Sequence, residues 1–513
     1  MRKRGTLSIL WMLVVMAASA QTDTLHIPSM QEAYRQNSWL SGNNPVGLSF
    51  NRFRSFSVAE AGYGYQKGNF GNVSIPSSTH TYTVYSESFQ TIGKVAVYGK
   101  LGYTQKQKHD INWNGMAGNY WQGINLCDSI SGNQSSEQYQ LQSAFSLPIH
   151  SRWLIGTRFD YQAELTAKDT DPRDKNQWME WKLTPGIGYQ FNKFRLGTSL
   201  FYVNRKEKVD YQNIGTHVTY PFLVTYPLGF YKTLPRSGSI NWHYTANEFG
   251  GGMQMEYLQN SIRLFQQLSG SSTSQSIVSN QITNRKEGES DCWNIHYQGK
   301  LQRFSFHNHH EWNWLAVYYS SNNYEPLQQQ EESGLWNSYG KVLRSTYRSN
   351  TYAFSYGFHQ LRDSWHPRFS WITGVDFHQI KNDLLFYPVK YSQNMHRFTI
   401  HTQLTRNFLM KNATLDCTLG GKYEKGGGDR MEEKQLQDNS TAPDIKLWQN
   451  QNRLLQEFNY QTDPRWLIHA SITYTRTIPF SWFVRITGEF EKAGINMPNK
   501  NKQYFSTQIG LLF

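Results

Sequence analysis

The sequence predicts an all-β fold, a transmembrane antiparallel β-barrel of about 18 strands within an even-numbered range of 16 to 20, with short periplasmic turns and long extracellular loops. Three observations carry that expectation. A secretory leader opens the chain, segments of alternating apolar and polar residues recur to its end, and the chain stops on Phe513 at the close of one of them. In this last segment, 503–513, Phe505, Thr507, Ile509, Leu511 and Phe513 share one face, and Tyr504, Ser506, Gln508 and Gly510 share the other. A strand so patterned meets lipid on one side and a polar lumen on the other.

The leader, residues 1–20, is read from Arg2, Lys3 and Arg4, an apolar run from Leu7 to Met16, and Ala18-Ser19-Ala20 before Gln21. These are the three regions of a cleavable signal peptide, and the run is too short for a membrane anchor. No cysteine follows the expected cut, which argues against a lipoprotein, and cleavage removes three basic and no acidic residues from a formal charge of +13. The mean hydropathy of −0.66 resembles that of a soluble chain, yet 32 Tyr and 17 Trp are too many for a disordered one. A barrel reconciles the two, because each strand hides only alternate residues in lipid while aromatic residues gather at both interfaces. Lys and Arg are interspersed with acids and form no run outside the leader, so no nucleic-acid partner is expected; the partners implied are outer-membrane lipid and the phosphates of lipopolysaccharide. Cys127, Cys292 and Cys417 lack metal-like spacing and permit at most one disulfide, of any pairing. No cofactor is expected.

Residues 21–54 lack strand periodicity and carry the turn signal Asn43-Asn44-Pro45-Val46-Gly47, so they are expected as a periplasmic lead-in tucked into the barrel mouth. A large plug domain of the kind that precedes TonB-dependent barrels has no room there. The barrel then occupies 55–513. Its first strands are expected at 55–66, 79–90, 93–106, 137–147 and 152–165. Next come 177–191 and 194–208, separated only by the hairpin signal Asn192-Lys193. Weaker alternation places 240–249, 253–264, 292–306 and 312–321. Clear alternation returns at 351–361, 368–381, 397–408 and 413–424, and the series closes with 466–476, 480–491 and 503–513.

Both faces behave in the clearest of these. Phe398, Ile400, Leu404 and Phe408 oppose Arg397, Thr399, His401, Gln403 and Asn407, and the next strand opposes Leu415, Cys417, Leu419 and Tyr423 to Asp416, Thr418, Lys422 and Glu424. Links alternate between short and long, as in outer-membrane barrels. Residues 67–78, 107–136, 209–239 and 322–348 are expected outside, and 91–92, 148–151, 307–311 and 363–367 in the periplasm. Parity decides one ambiguous stretch: were 447–460 a strand, the C-terminus would finish outside, so 425–464 is expected as an external excursion.

Chemistry is sparser. Asp376, His378 and His401 face one lumen on neighbouring strands and are the candidate divalent-metal ligands, with His359, Arg397 and Asp416 near them. Against that stands the ordinary pairing of polar residues in a barrel interior. His307-Asn308-His309-His310 is a second candidate, expected in a periplasmic turn with no carboxylate on the same face. His80, His243, Asp128 and Asp210 with the many serines single out no nucleophile and base, and no G-x-S-x-G occurs; no enzyme is expected. The loop 209–239 carries Tyr211, Tyr220, Phe222, Tyr226, Phe230 and Tyr231, too apolar to hang in water, so it is expected to fold on its own barrel, cover the mouth or meet a partner. Residues 119–130, with Tyr120, Trp121 and Cys127, are expected to do likewise.

Phe505, Ile509, Leu511 and terminal Phe513 resemble the C-terminal assembly signal of bacterial outer-membrane barrels, which implies the barrel-assembly machinery as a partner. Trp39 with Asn44-Pro45-Val46-Gly47, Asp171-Pro172-Arg173 before Trp178, the strand Pro185-Gly186-Ile187-Gly188-Tyr189 and Phe513 together resemble an uncharacterised family of Bacteroidota outer-membrane barrels. That resemblance implies an integral outer-membrane protein with no established activity, acting beside TonB-dependent receptors and surface lipoproteins. The function expected is therefore a non-enzymatic accessory component of nutrient or metal uptake. The alternatives are a FadL- or porin-like diffusion channel and a barrel enzyme acting on lipid or peptide.

Overall fold

The computed structural model describes residue 33 and residues 37–51, 55–71, 74–117, 123–215, 218–234, 238–280, 285–362, 367–387, 389–429, 447–449, 451–477, 481–494, 497 and 500–513. The leader and its cleavage site lie outside these residues. Eighteen antiparallel strands close into one barrel. They are β1 (Ser55–Gly68), β2 (Ser78–Ile92), β3 (Val95–Ile111), β4 (Gly132–Pro148), β5 (Trp153–Lys168) and β6 (Arg173–Phe191). There follow β7 (Phe194–Gln212), β8 (Ser239–Gln259), β9 (Ile262–Asn280), β10 (Arg285–Phe304), β11 (Asn308–Gln330) and β12 (Trp336–Leu361). The last six are β13 (Pro367–Phe386), β14 (Val389–Met410), β15 (Ala413–Gly428), β16 (Arg465–Arg476), β17 (Ser481–Ala493) and β18 (Asn501–Leu512). Each strand pairs with the next, and β18 pairs with β1 in the register Val58 opposite Leu512. The seal reaches the last residue, because Phe513 and Ser57 exchange both backbone hydrogen bonds at 2.9 Å.

The outside of the wall is apolar by the alternation of its strands. Phe505, Ile509 and Leu511 are exposed on the outside of β18, and Trp371, Val375, Phe398, Ile400, Leu404 and Leu419 continue the belt over β13 to β15. Inward neighbours are buried or polar, such as Ser506 and Thr399. No helix among the described residues is long and apolar enough to cross a membrane; the strands do it, and the chain has the build of an integral outer-membrane barrel. Four hairpins at one end close in two residues, and three of them turn through Asn192, Asn260 and Asn412 with positive φ, the fourth through Gly93. Asparagine and glycine tolerate that left-handed backbone, which matches the twist of the strands they join.

Three expectations change. The count of 18 holds, but 253–264 is not a strand of its own: Gly250-Gly251-Gly252 lies inside the single strand β8, and the turn falls at Asn260. The glycines serve close packing there, since a Cβ at Gly250 would stand 2.3 Å from the Phe201 ring. Second, 322–348 is mostly ladder, for β11 and β12 pair from Gln330 and Trp336 inward with bulges at Asn323/Tyr324 and Leu327/Gln328. Beyond the membrane neither face of a strand meets lipid, so both are polar and the period of two disappears. Third, 307–311 is not a turn, because β11 begins at Asn308. The excursion after β15 contains no barrel strand among its described residues, only the short strand Leu447–Gln449 and helix α1 (Gln451–Thr462).

Candidate functional site

The lumen is furnished from both ends. At the short-turn end, residues 37–51 fold as two 3-10 turns, Ser38–Ser41 and Pro45–Phe50, against the inner wall. Each is capped by an asparagine side chain: Asn37 accepts from Trp39 N and Asn44 from Val46 N. Trp39 is fully buried, packs edge-on against Phe50 and Phe265, and donates from Nε1 to Glu256 at 2.9 Å. Asn44 Nδ2 donates to the Ile187 and Thr198 carbonyls of β6 and β7. Glycines make this seat, since a Cβ at Gly186 would stand 2.2 Å from Asn44 Oδ1 and one at Gly197 2.8 Å from Trp39. Asn44→Ala removes the cap and both wall bonds, and is expected to cost about 1–2 kcal/mol locally. Faster amide hydrogen exchange over 45–50, with the barrel strands unchanged, is the result that checks it.

Beside this segment a cavity of about 1000 Å³ remains, reaching the short-turn rim at Pro367, Thr477 and Leu512. Five carboxylates line it, Glu60, Glu87, Glu311, Asp376 and Asp416, against Lys300 and Arg485 as its lysine and arginine. Its wall is β1, β2 and β9 to β18, with Ser41 of the N-terminal segment at its edge. This is a vestibule at the short-turn end with an acidic lining, the end that outer-membrane barrels of this build turn to the periplasm.

At the opposite end three loops join into a second sheet. Its strands, in order, are Leu447–Gln449, Phe230–Thr233, Leu223–Thr225 and Asn125–Cys127, taken from the connections after β15, β7 and β3. The expected aromatic loop is the heart of it. Tyr211, Phe222, Tyr226 and Phe230 are buried in one cluster with Trp242, Tyr244 and Ile277 on β8 and β9, and with Leu384, Phe386 and Tyr391 on β13 and β14. The cluster thus bridges walls up to seven strands apart. Phe230 meets the Tyr391 ring at 4.8 Å, and the Tyr244 hydroxyl accepts from Leu126 N at 3.0 Å. Tyr220 and Tyr231 are half-buried at its margin, while Tyr120 and Trp121 lie outside the described residues. Helix α1 carries the cover onward: Leu454 enters the cluster, Tyr460 packs on Phe70 beyond β1, and Gln456 donates to the Gly71 carbonyl at 2.8 Å.

The edge of this cap is pinned by charge. Lys168, at the outer end of β5, donates to Asp128 at 2.7 Å and to the Ile130 carbonyl at 2.6 Å, with both charged side chains buried. Burial holds the Asp128 carboxyl above its ordinary range although Lys168 opposes it, and burial pushes the neighbouring Cys127 thiol up to about 12. Cys127, Cys292 and Cys417 are all free.

Among the sequence candidates, Asp376 and His401 come together, His401 Nδ1 lying 3.5 Å from Asp376 Oδ2 on half-exposed side chains. His378 is engaged elsewhere, with Thr351 Oγ1 at 2.8 Å from its Nδ1, and does not complete a metal-binding group with them. Asp416 is bonded by Asn407. The histidine-rich stretch differs from its expectation, since the start of β11 at Asn308 puts His309 and Glu311 on one inward face beside His359. Glu311, Gln302 and Gly357 had no place in the sequence reading. The signal that could have found them is His-x-Glu on one strand facing Gly-x-His on the next.

A family model described as a family of unknown function (DUF6850) matches residues 45–513. No curated protein matches the chain. Solved structures resemble it distantly. The ferric preacinetobactin receptor BauA from Acinetobacter baumannii aligns with a TM-score of 0.41 at 8% identity over 89% of this chain and 80% of that one. The RagAB peptide transporter gives 0.40 at 6% identity over 89% and 86%, and a mutant of the TodX monoaromatic hydrocarbon channel 0.31 at 9% over 93% and 93%. Likeness at this level transfers neither a site nor a ligand.

Proposed function

We propose that the chain, which belongs to the family of unknown function DUF6850, is a capped outer-membrane barrel serving a nutrient or metal uptake system as a non-enzymatic accessory component. One observation carries the reading: three loops from separate parts of the chain are stitched into a single sheet across the outer mouth. A standing diffusion pore has no use for such a cover, whereas a component that opens on contact with a surface partner does. The acidic vestibule behind it suits small polar or cationic solutes arriving at, or leaving through, the periplasmic side. The leader 1–20 would deliver the chain through the inner membrane, and a surface lipoprotein or a receptor barrel of the TonB-dependent kind is the partner chemistry the resemblance favours.

The refolded protein in planar bilayers is expected to pass no steady current. A large constant conductance from the intact chain would overturn the capped reading and leave the diffusion-channel alternative. Gentle extraction from native membranes is expected to bring a second outer-membrane component with the barrel; recovery of the barrel alone counts against the accessory role.

A further inference from the structure

We infer that His309, Glu311 and His359 form a site for one divalent cation of the borderline class, such as Zn²⁺, Co²⁺ or Ni²⁺, on the wall of the vestibule at the short-turn end. The inference stands on the geometry of these residues and holds whether or not the barrel transports anything.

The ladder register builds the site. His309 on β11 lies directly opposite His359 on β12, and Glu311 lies opposite Gly357. All four residues therefore point to the lumen from one patch, with the two imidazoles stacked at 5.3 Å between centroids. One ring nitrogen from each histidine and one Glu311 oxygen lie within 4.8 Å of one another, and the three residues are buried. Ligand atoms about a tetrahedral ion with bonds of roughly 2.1 Å sit roughly 3.4 Å apart, so small side-chain rotations bring the set into range.

Two further observations mark a seat for a ligand rather than a merely polar patch. His359 is 3% exposed, yet its Nε2 has no hydrogen-bond partner. Its Nδ1 lies 2.8 Å from Ser370 Oγ, an arrangement that lets Nδ1–H donate and leaves the Nε2 lone pair directed inward. Gly357 supplies the room: a Cβ there would stand 2.8 Å from Glu311 Cγ, 3.2 Å from His359 Nε2 and 3.3 Å from Glu311 Oε1. With Nδ1–H donating, Nε2 turns its lone pair toward Glu311 Oε1 4.0 Å away, and two such acceptors facing each other in a buried site are costly unless something positive lies between them.

The surroundings fit the same ion. Lys300 holds Glu311 Oε2 at 3.0 Å, and Oε1 is the oxygen nearer His359. Two imidazoles and one carboxylate select transition-type cations over Ca²⁺ and Mg²⁺, which take oxygen alone. Glu311 and His359 line the vestibule, so loading occurs from the short-turn side. Gln302 lies 3.2 Å from His309 Nε2 and accepts from Ser38 at 3.4 Å, which ties the site to the N-terminal segment.

The test is titration of the refolded full chain with Zn²⁺ by calorimetry and with Co²⁺ by visible absorption. Wild type is expected to bind one tight equivalent, with Co²⁺ giving the intense bands of a low-coordinate site. His359→Ala and Gly357→Ala are each expected to weaken that equivalent at least 100-fold; the second keeps all three ligand side chains but fills the seat and presses on Glu311. His307→Ala, at an exposed histidine two residues from the site, is the control and keeps full binding. Absence of a tight equivalent in wild type overturns the inference, as does binding unchanged in both His359→Ala and Gly357→Ala. Should either variant fail to fold, Glu311→Gln, which keeps the shape and removes the charge, decides in its place.

Discussion

Asp128→Ala loosens the outer cap by about 3–5 kcal/mol, the usual cost of stripping one partner from a buried ion pair. Lys168 is then left as a buried cation with the Ile130 carbonyl for company. The loss belongs to the charge left behind and not to any large net worth of the pair: the Asp128 carboxyl sits above its ordinary range because burial outweighs Lys168. The double variant Asp128→Leu with Lys168→Met therefore comes out close to wild type. Asp174, bonded by Gln134 at 2.9 Å and buried nearby, gives Lys168 a second carboxylate to lean toward and pulls the single-variant cost to the lower end of the range. The measurement is protease susceptibility and amide exchange over residues 123–131 and 223–233, with the barrel wall as internal reference. Equal loosening in single and double variants would refute the clamp.

How much of this architecture was readable beforehand depends on what each stretch touches. Strands that cross lipid announce themselves, since Phe398, Ile400 and Leu404 must be apolar and His401 and Gln403 must not. The closure through Phe513 was visible for the same reason. Once β11 and β12 rise past the membrane, Asn322, Asn323 and Gln328 to Gln330 satisfy the ladder without any side chain that lipid selects, and the strand looks like loop. The triple glycine of β8 misled for a different reason, because glycine marks a turn and also a close approach, and here it yields to Phe201.

The site was legible in composition but not in placement. A displacement of the β10–β11 turn by a few residues decides whether His309 points to water or to the lumen, and whether Glu311 shares its face. The cap shows the complementary case: Tyr211, Phe222, Tyr226 and Phe230 were plainly too apolar for free solvent, yet nothing local says that 125–127 and 447–449 complete the sheet. Pairings that far apart in sequence leave no periodic trace.

Phe230→Asp should convert a silent barrel into a conducting one. Phe230 is fully buried against Tyr391 and Phe386, and truncating a buried phenylalanine alone costs about 3–5 kcal/mol. The carboxylate adds an unpaired buried charge, which the cap escapes most readily by lifting from β13 and β14. The wall itself keeps its register, because each barrel strand is bonded on both sides and none depends on the cap for its ladder. An 18-strand barrel without its cover leaves an aqueous path, here through the cavity beside the N-terminal segment. Single-channel recordings are expected to show a steady current in Phe230→Asp, none in wild type, and little in Phe230→Leu, which keeps the seat apolar. The decisive control is protease cleavage of the lifted cap in 218–234: a variant whose cap is cut and whose barrel stays folded, yet which passes no current, would mean that the vestibule and the outer mouth are not continuous. A current in that variant instead places the resting closure in the cap, which is what a partner at the surface would have to move.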